Sequence, residues 1–206
     1  MKTLIIILSF SMFLMGCKDN PETKNAKESK EVKEVKSEPE TVKGYLGKSR
    51  QIKERTEELS KVTPLSNEEF KEWLPDQVGN MERTSMKVGE MSAVNVASVK
   101  ATYTSKDKSQ SFKIEILDGA GESGSVTTSG MRMGLTRNYE IENDTETERS
   151  VTRNGVKAIE LYYKKRNHSE ISFFFQDRFY LKASGLNMKI DELWDRIDEV
   201  TQKDLI

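Results

Sequence analysis

The chain has 206 residues, which is room for one domain with appendages. Its 33 basic and 34 acidic side chains nearly balance. This balance argues against a strongly basic nucleic-acid binder and against a dedicated anionic-lipid surface. With one cysteine and one histidine, the folded part has no internal disulfide to form and no common zinc or Cys–His site.

The first residues have the pattern of a secretory signal. Lys2 provides the basic start, and an apolar run extends from Leu4 to Met15 before Gly16. The run has about a dozen residues, whereas a membrane-spanning helix needs roughly 20. We therefore predict a signal peptide over residues 1–16 rather than a transmembrane anchor.

The motif Leu14-Met15-Gly16-Cys17 resembles the lipobox of bacterial lipoproteins. In that family the cysteine thiol receives a diacylglycerol, the leader is cut before it, and the new amine is commonly acylated, typically by palmitate. The resemblance implies lipidation of Cys17 and a membrane as its partner. Lys18 is not the aspartate that holds many enterobacterial lipoproteins at the inner membrane, so the resemblance favours the outer membrane, at its periplasmic face or at the cell surface. The alternative is an ordinary secretory signal with an incidental cysteine.

A charged segment follows the cysteine. From Lys18 to Lys43 there is no aromatic residue and few aliphatic ones, so the segment buries too little apolar area to offset the entropy of ordering. Residues 17–46 are therefore predicted to be the lipidated cysteine and a disordered tether, with a mean reach of roughly 30 Å. A transient helix supported by Glu–Lys pairs is the alternative, and it would also be a spacer.

Two helices are predicted before the first strand. Residues 47–63 form a weakly amphipathic stalk helix that ends before a proline. Ser66 and Glu69 then fit a capping box, which begins a short helix with Phe70 and Trp73 on one face.

Alternation with a period of two marks the strands of a domain over residues 64–206. The alternating runs are 97–104, 112–116, 146–151, 156–164, 171–176 and 179–183. Their short connections make neighbouring strands antiparallel. Ile190, Trp194 and Ile197 recur at helical spacing. The predicted fold class is α+β, an antiparallel β-meander sheet with an amphipathic C-terminal helix and short N-terminal helices packed on it.

This pattern resembles PsbP/Mog1-like proteins, in which a C-terminal helix crosses a curved antiparallel sheet. The Leu74-Pro75 opening and a strand ending at Ala101-Thr102-Tyr103 are also similar to bacterial envelope proteins without an assigned activity. Both resemblances bear on the fold alone and imply no site residue or cofactor.

The segment from Gly119 to Gly124 matches the spacing GxGxxG and follows a predicted strand. A dinucleotide site would need a buried parallel strand before it and a helix after it. The strand here alternates, as antiparallel strands do, and the following Ser/Thr-rich residues are poor helix formers. We therefore expect a mobile loop, whose apolar end at Met131 and Met133 folds over the sheet.

Glu140, Glu142, Asp144, Glu146 and Glu148 occupy every second position, which places them on one side of an extended chain. A calcium site is the functional interpretation, but the spacing of an EF-hand loop is absent. The favoured interpretation is a solvated acidic edge that discourages aggregation between sheets, and no metal site is predicted.

His168 lies in a predicted turn and is interpreted as a surface histidine. No nucleophile-elbow motif accompanies the serines of the chain. We find no catalytic constellation and predict a non-enzymatic protein without a cofactor.

The aromatic side chains of the later strands point to both sides of the predicted sheet, so both faces are partly apolar. The C-terminal helix covers one face. For the other face there are two interpretations. The favoured one is that the chain itself covers it, and the alternative is that it binds a ligand. If it binds a ligand, the predicted hydrophobic ligand face consists of Tyr162, Phe174, Tyr180, Met131 and Met133.

These observations favour a membrane-anchored, non-enzymatic envelope lipoprotein whose domain binds a partner protein or an envelope component. The alternative is a carrier or sensor of small, lipid-like hydrophobic ligands on the second sheet face. No nucleic-acid partner is predicted, and the sequence carries no signal of oligomeric state.

Overall fold

A computed structural model describes residues 33–34 and 41–205. The chain divides into two units, residues 1–31 and 32–206, and everything described belongs to the second. The predicted signal peptide, Cys17 and the tether up to residue 40, apart from residues 33–34, lie outside the described residues. Among the helices in the described part, none combines the length and apolarity that a membrane span requires.

The described chain forms four helices and a ten-stranded sheet. The strands are β1 (Lys33–Glu34), β2 (Gln77–Val78), β3 (Met81–Val88), β4 (Ser98–Ser105), β5 (Ser111–Asp118), β6 (Glu140–Glu142), β7 (Glu146–Arg153), β8 (Val156–Tyr163), β9 (His168–Phe175) and β10 (Phe179–Leu186). The helices are α1 (Val42–Leu59), α2 (Asn67–Trp73), α3 (Gly121–Leu135) and α4 (Ile190–Val200).

The sheet joins two antiparallel meanders in the order β1-β6-β7-β8-β9-β10-β5-β4-β3-β2. The strands β2 to β5 are consecutive neighbours, as are β6 to β10, and α3 connects the two groups. Pairing of β10 with β5 closes the join, with Phe179 opposite Asp118 and Leu186 opposite Ser111. The predicted α+β class, the meander and the C-terminal helix are confirmed.

The helices before the sheet begin at side-chain caps. The Thr41 side chain accepts a hydrogen bond from the Gly44 amide at 3.2 Å, so α1 starts five residues before the predicted stalk helix. At α2 the capping box is present, because Ser66 Oγ accepts from the Glu69 amide while Glu69 Oε2 accepts from the Ser66 amide.

Helices α2 and α4 pack on one side of the sheet, which we call the core face. Trp194 of α4 lies 5.5 Å from Phe173, and Trp73 of α2 lies 6.1 Å from Phe175, between ring centroids. The fully buried strand side chains of this face are Tyr103, Phe112, Ile114, Ile116, Ile171, Phe179 and Leu181. This face is therefore the hydrophobic core of the domain.

Helix α3 crosses the opposite side of the sheet, the α3 face, at the strand ends that carry Leu117, Phe174 and Tyr180. This helix corrects the prediction of a mobile loop. Gly124 and Thr128 are buried against β5, and a Cβ on Gly124 would lie 2.5 Å from the Asp118 carbonyl oxygen. Close packing of small residues therefore outweighs their low helix propensity.

Candidate functional site

A groove of about 810 Å³ lies beside α3, where α1 and two strand turns surround the C-terminal half of that helix. The turns are those between β7 and β8 and between β9 and β10. The lining residues are Lys48, Gln51, Ile52, Arg55, Arg132, Leu135, Thr136, Gly155, Val156, Lys157, Phe174, Gln176 and Asp177. Four of these side chains are basic and one is acidic, so the groove is cationic.

Arg132 of α3 forms the floor of this groove. Its guanidinium lies 3.9 Å from the centroid of the Phe174 ring, and only 10% of the side chain is exposed. It also donates to the carboxylate and the carbonyl of Asp177. Burial lowers the pKa of Arg132, and hydrogen bonding to Asp177 opposes that shift. An Arg132 fixed in this way is a preorganised cation at the base of the groove.

Asp177 is shared between two arginines. Arg55 of α1 approaches the Asp177 carboxylate with Nε 3.1 Å from Oδ2, on the other side from Arg132. Arg55 also pairs with Glu58 on its own helix, with Nη1 3.1 Å from Oε2, so two carboxylates face the two guanidinium groups. The contacts of Arg55 with Asp177 tie α1 to the turn between β9 and β10.

Two lysines meet at the C-terminal end of α3. Lys48 Nζ and Lys157 Nζ donate to the Thr136 carbonyl oxygen at 3.1 and 3.0 Å. Cations are favoured at this position because the last carbonyls of a helix are its negative end. Lys157 also donates to Asn138 Oδ1, so both ammonium groups are held at the rim of the groove.

The walls between these cations are apolar. Ile52, Leu135, Val156 and Phe174 line the groove alongside the charged groups. The one hydroxyl in the lining, on Thr136, donates to the Met133 carbonyl oxygen at 2.9 Å. The arrangement can bind an anion that carries an apolar body, and the lining offers no paired nucleophile and base.

A buried ion pair fixes the strand turn that carries Asp177. Arg178 Nε and Nη2 donate to the two carboxylate oxygens of Asp118 at 2.7 and 2.8 Å. The amides of Leu65 and Ala120 also donate to this carboxylate, which is completely buried. The pair joins the segment between α1 and α2, the start of α3 and the β9–β10 turn. The junction therefore fixes the end of α1, the start of α3 and the β9–β10 turn relative to one another.

The structure brings together part of the predicted hydrophobic ligand face. Phe174 lines the groove, and its ring centroid lies 5.6 Å from that of Tyr180 on the next strand. Tyr180 and Met131 line a second cavity of about 390 Å³ on the other side of α3. Met133 is half-buried on the same helix. Four of the five predicted residues therefore lie on the α3 face or on α3 itself.

Tyr162 is the exception and corrects the prediction. It pairs with Ser169 and follows Ala158 and Glu160 on the core-face side of β8. Its hydroxyl donates to Asn167 Oδ1 at 3.0 Å, and it lines a third cavity of about 300 Å³ at the start of α4. Ala158 pairs with Phe173 of the core face, so its side of β8 faces the core. The alternate residues Ile159, Leu161 and Tyr163 therefore lie on the α3 face.

The open part of the α3 face is a ladder of alternating charges. Lys100 lies 3.1 Å from Glu115, and Lys182 lies 2.8 Å from Glu170, between ammonium nitrogen and carboxylate oxygen. Burial alone would raise the pKa of Glu170, but the hydrogen bonds from Lys182 and His168 outweigh it, and the pKa is lowered. The hydrogen bond to Glu170 raises the pKa of Lys182. On β4, β5, β9 and β10, the α3 face is therefore polar where α3 does not cover it.

The row of carboxylates from Glu140 to Glu148 does not share one side. A turn separates β6 from β7, and Glu142 pairs with Thr147 while Ile141 pairs with Glu148. Glu140 and Glu142 therefore point to one face and Glu146 and Glu148 to the other. Within residues 33–34 and 41–205, no group of three or more His, Cys, Asp or Glu side chains could hold a metal ion.

Sequence reasoning missed Asp118, Arg178 and Arg132. The alternation Phe112, Ile114, Ile116 continues to position 118, so Asp118 falls on an inward position, and an inward carboxylate requires a buried partner. That signal was readable in the sequence. Its partner and Arg132 were not, because both depend on how α3 and the β9–β10 turn pack.

Comparisons of the chain with protein-family models, with curated proteins and with solved structures found no match. The structure defines an α+β domain with a cationic, partly apolar groove. The lipobox and the likeness to PsbP/Mog1-like proteins stay predictions.

Proposed function

We propose that this protein is a non-enzymatic envelope lipoprotein whose domain binds an envelope component, an anionic amphiphile, in the groove beside α3. The observation that carries the proposal is the composition of the groove, with Arg132 stacked on Phe174 among three further basic side chains and apolar walls. A ligand with an acidic head and an aliphatic body would satisfy both parts of this lining.

The groove has the size of a small-molecule site. Its volume of about 810 Å³ lies within the roughly 300 to 1,000 Å³ typical of such sites. An anionic head meets Lys48 and Lys157 at the rim, and an apolar body extends along Ile52 and Leu135. Charge-assisted hydrogen bonds from these lysines would contribute most of the preference for an anion.

The second part of the proposal, membrane anchoring, rests on the lipobox. Acyl chains on Cys17 would hold the domain at a membrane, where amphiphiles are concentrated, because two or more chains anchor stably. We expect Cys17→Ser to release the protein from membranes and to remove the acyl mass. A Cys17→Ser variant that still fractionates with membranes would contradict the proposed lipid anchor but not the proposed ligand binding in the groove.

Ligand binding is tested with a defined probe on the mature chain from residue 17. Calorimetric titration with dodecyl phosphate, kept below its micelle concentration, is expected to show saturable binding. Dodecyltrimethylammonium has the same tail and the opposite charge, so it is expected not to bind. Equal binding of the two amphiphiles would contradict the proposal.

Two double variants localise the binding. Lys48→Gln with Lys157→Gln removes two charges from the rim, and we expect the affinity for dodecyl phosphate to fall at least about tenfold. Lys106→Gln with Lys113→Gln removes two charges outside the groove and serves as the matched control. Equal affinities of the two double variants for dodecyl phosphate would show that the ligand binds outside the groove.

A carrier of neutral, lipid-like ligands is supported less. The cavity lined by Met131 and Tyr180 is the place for such a ligand, but it is also lined by Lys100, Glu115 and Lys182. Uncharged aliphatic ligands would have to desolvate these groups without pairing them.

A further inference from the structure

The first turns of α1 project free of the domain. Residues 41–47 are all exposed, and among them are three large apolar side chains, Val42, Tyr45 and Leu46, which are 76%, 51% and 61% exposed. Their spacing of three and four residues places them on one side of the helix. An exposed apolar cluster of this kind is unusual on a soluble surface unless it meets a partner.

The same part of α1 is basic. Between Val42 and Lys53 the helix carries four lysine or arginine residues and no acidic residue, whereas Glu54, Glu57 and Glu58 follow in its second half. Lys43, Arg50 and Lys53 are exposed beside the apolar cluster. The near-neutral charge of the whole chain therefore conceals a local basic and apolar surface.

We propose that the first turns of α1 dock onto the surface of an anionic lipid bilayer. Val42, Tyr45 and Leu46 enter the boundary between headgroups and acyl chains, and the basic side chains beside them meet anionic headgroups. The positive end of the helix faces the same headgroups. The choice of a bilayer as partner rests on the anchor in the proposed function, since residues 18–32 are the only chain between Cys17 and β1.

Docking would place the groove at the membrane. Lys48 and Gln51, which line the groove, follow Leu46 on the same helix within two turns. An amphiphile leaving the bilayer would therefore meet the rim of the groove first. The docking surface and the groove then follow one another along α1.

Tryptophan fluorescence tests the docking surface. The native Trp73 and Trp194 are buried and emit in every variant, so the difference in emission between Tyr45→Trp and the native protein reports on α1. In lipidated protein reconstituted into vesicles of phosphatidylcholine and phosphatidylglycerol, we expect its emission to shift to shorter wavelength and brominated lipids to quench it. Leu186→Trp, at the far end of β10 and 45% exposed in the native side chain, is the control and is expected to remain unquenched.

Further variants distinguish docking of α1 from anchoring by the acyl chains. Adding Val42→Ser and Leu46→Ser to Tyr45→Trp is expected to abolish quenching while the protein stays in the vesicle fraction. The unacylated Cys17→Ser chain from residue 17 is expected to bind vesicles with phosphatidylglycerol about tenfold better than phosphatidylcholine alone. Unquenched Tyr45→Trp in the anchored protein would overturn docking and leave the anchor and the groove standing. Quenching in the Cys17→Ser chain would support docking even if the native cysteine proved unacylated.

Discussion

The two faces of the sheet are built by the same strands and are completed in different ways. On the core face, Phe112, Ile114 and Leu181 are fully buried under α2 and α4. On the α3 face, the alternate residues of the same strands include the charged Lys113, Glu115 and Lys182, and a single helix covers one end. The cavities of about 810 and 390 Å³ flank that helix.

The difference shows where the domain has room to bind. On the core face, aliphatic and aromatic side chains fill the space between the sheet and the helices, beside a smaller cavity of about 300 Å³ at the start of α4. The α3 face, with its charge ladder and one crossing helix, has clefts at the sides of that helix, and Arg132 and Phe174 are partly buried in the larger of these two clefts. Three sets of substitutions would break or sharpen this contrast.

The largest expected effect is at the junction where the faces meet. Asp118→Ala leaves the Arg178 guanidinium buried without its partner, so we expect a loss of about 4 kcal/mol of unfolding free energy. Chemical denaturation followed by circular dichroism measures it. The double variant Asp118→Leu with Arg178→Met removes both charges and is expected to recover part of the loss. A single variant as stable as the native protein would show that the junction does not hold the fold.

A matched pair of aromatic truncations compares the faces directly. Phe112→Ala empties a completely buried position on the core face and is expected to cost about 3 kcal/mol. Phe174→Ala removes a half-buried ring on the α3 face, and we expect about 1 kcal/mol together with weaker binding of dodecyl phosphate. Denaturation and calorimetry measure the two effects. Equal losses of stability would mean that the faces are packed alike.

The smallest effect concerns the charge ladder. Glu170→Gln breaks a partly exposed pair with Lys182 and is expected to cost less than about 1 kcal/mol. Because the folded-state pKa of Glu170 is lowered, its contribution is present above the ordinary value of 4.5 and is lost as the pH falls through the lowered pKa. The difference between native and variant stability should therefore be constant above pH 4.5 and shrink below it. A difference that grew on acidification would contradict the assignment.

Local signals in the sequence were sufficient for the fold. Alternation located six of the seven eight-residue strands, all but β3, closely enough to give an antiparallel meander, and the capping box at Ser66 predicted α2. They were insufficient for α3, whose glycine, serine and threonine content favours a loop in isolation. Tertiary packing, including the close approach of Gly124 to β5, stabilises that segment as a helix.

The site was predictable only in part, for the same reason. Phe174 and Tyr180 were placed on the second face because alternation along a strand is local. Tyr162 was placed wrongly because apolar residues occupy both sides of β8, and its inward side is set by pairing with β9. The cations of the groove come from α1, α3 and β8, and no local pattern brings these segments together.

Hydrogen–deuterium exchange of the mature chain, with and without dodecyl phosphate, tests most directly whether the α3 face is the binding face. We predict slower exchange in the second half of α1, the C-terminal half of α3 and the turns at Gly155 and Asp177, with no change in α2 or α4. Protection confined to α2 and α4, or none at saturating probe, would contradict the account.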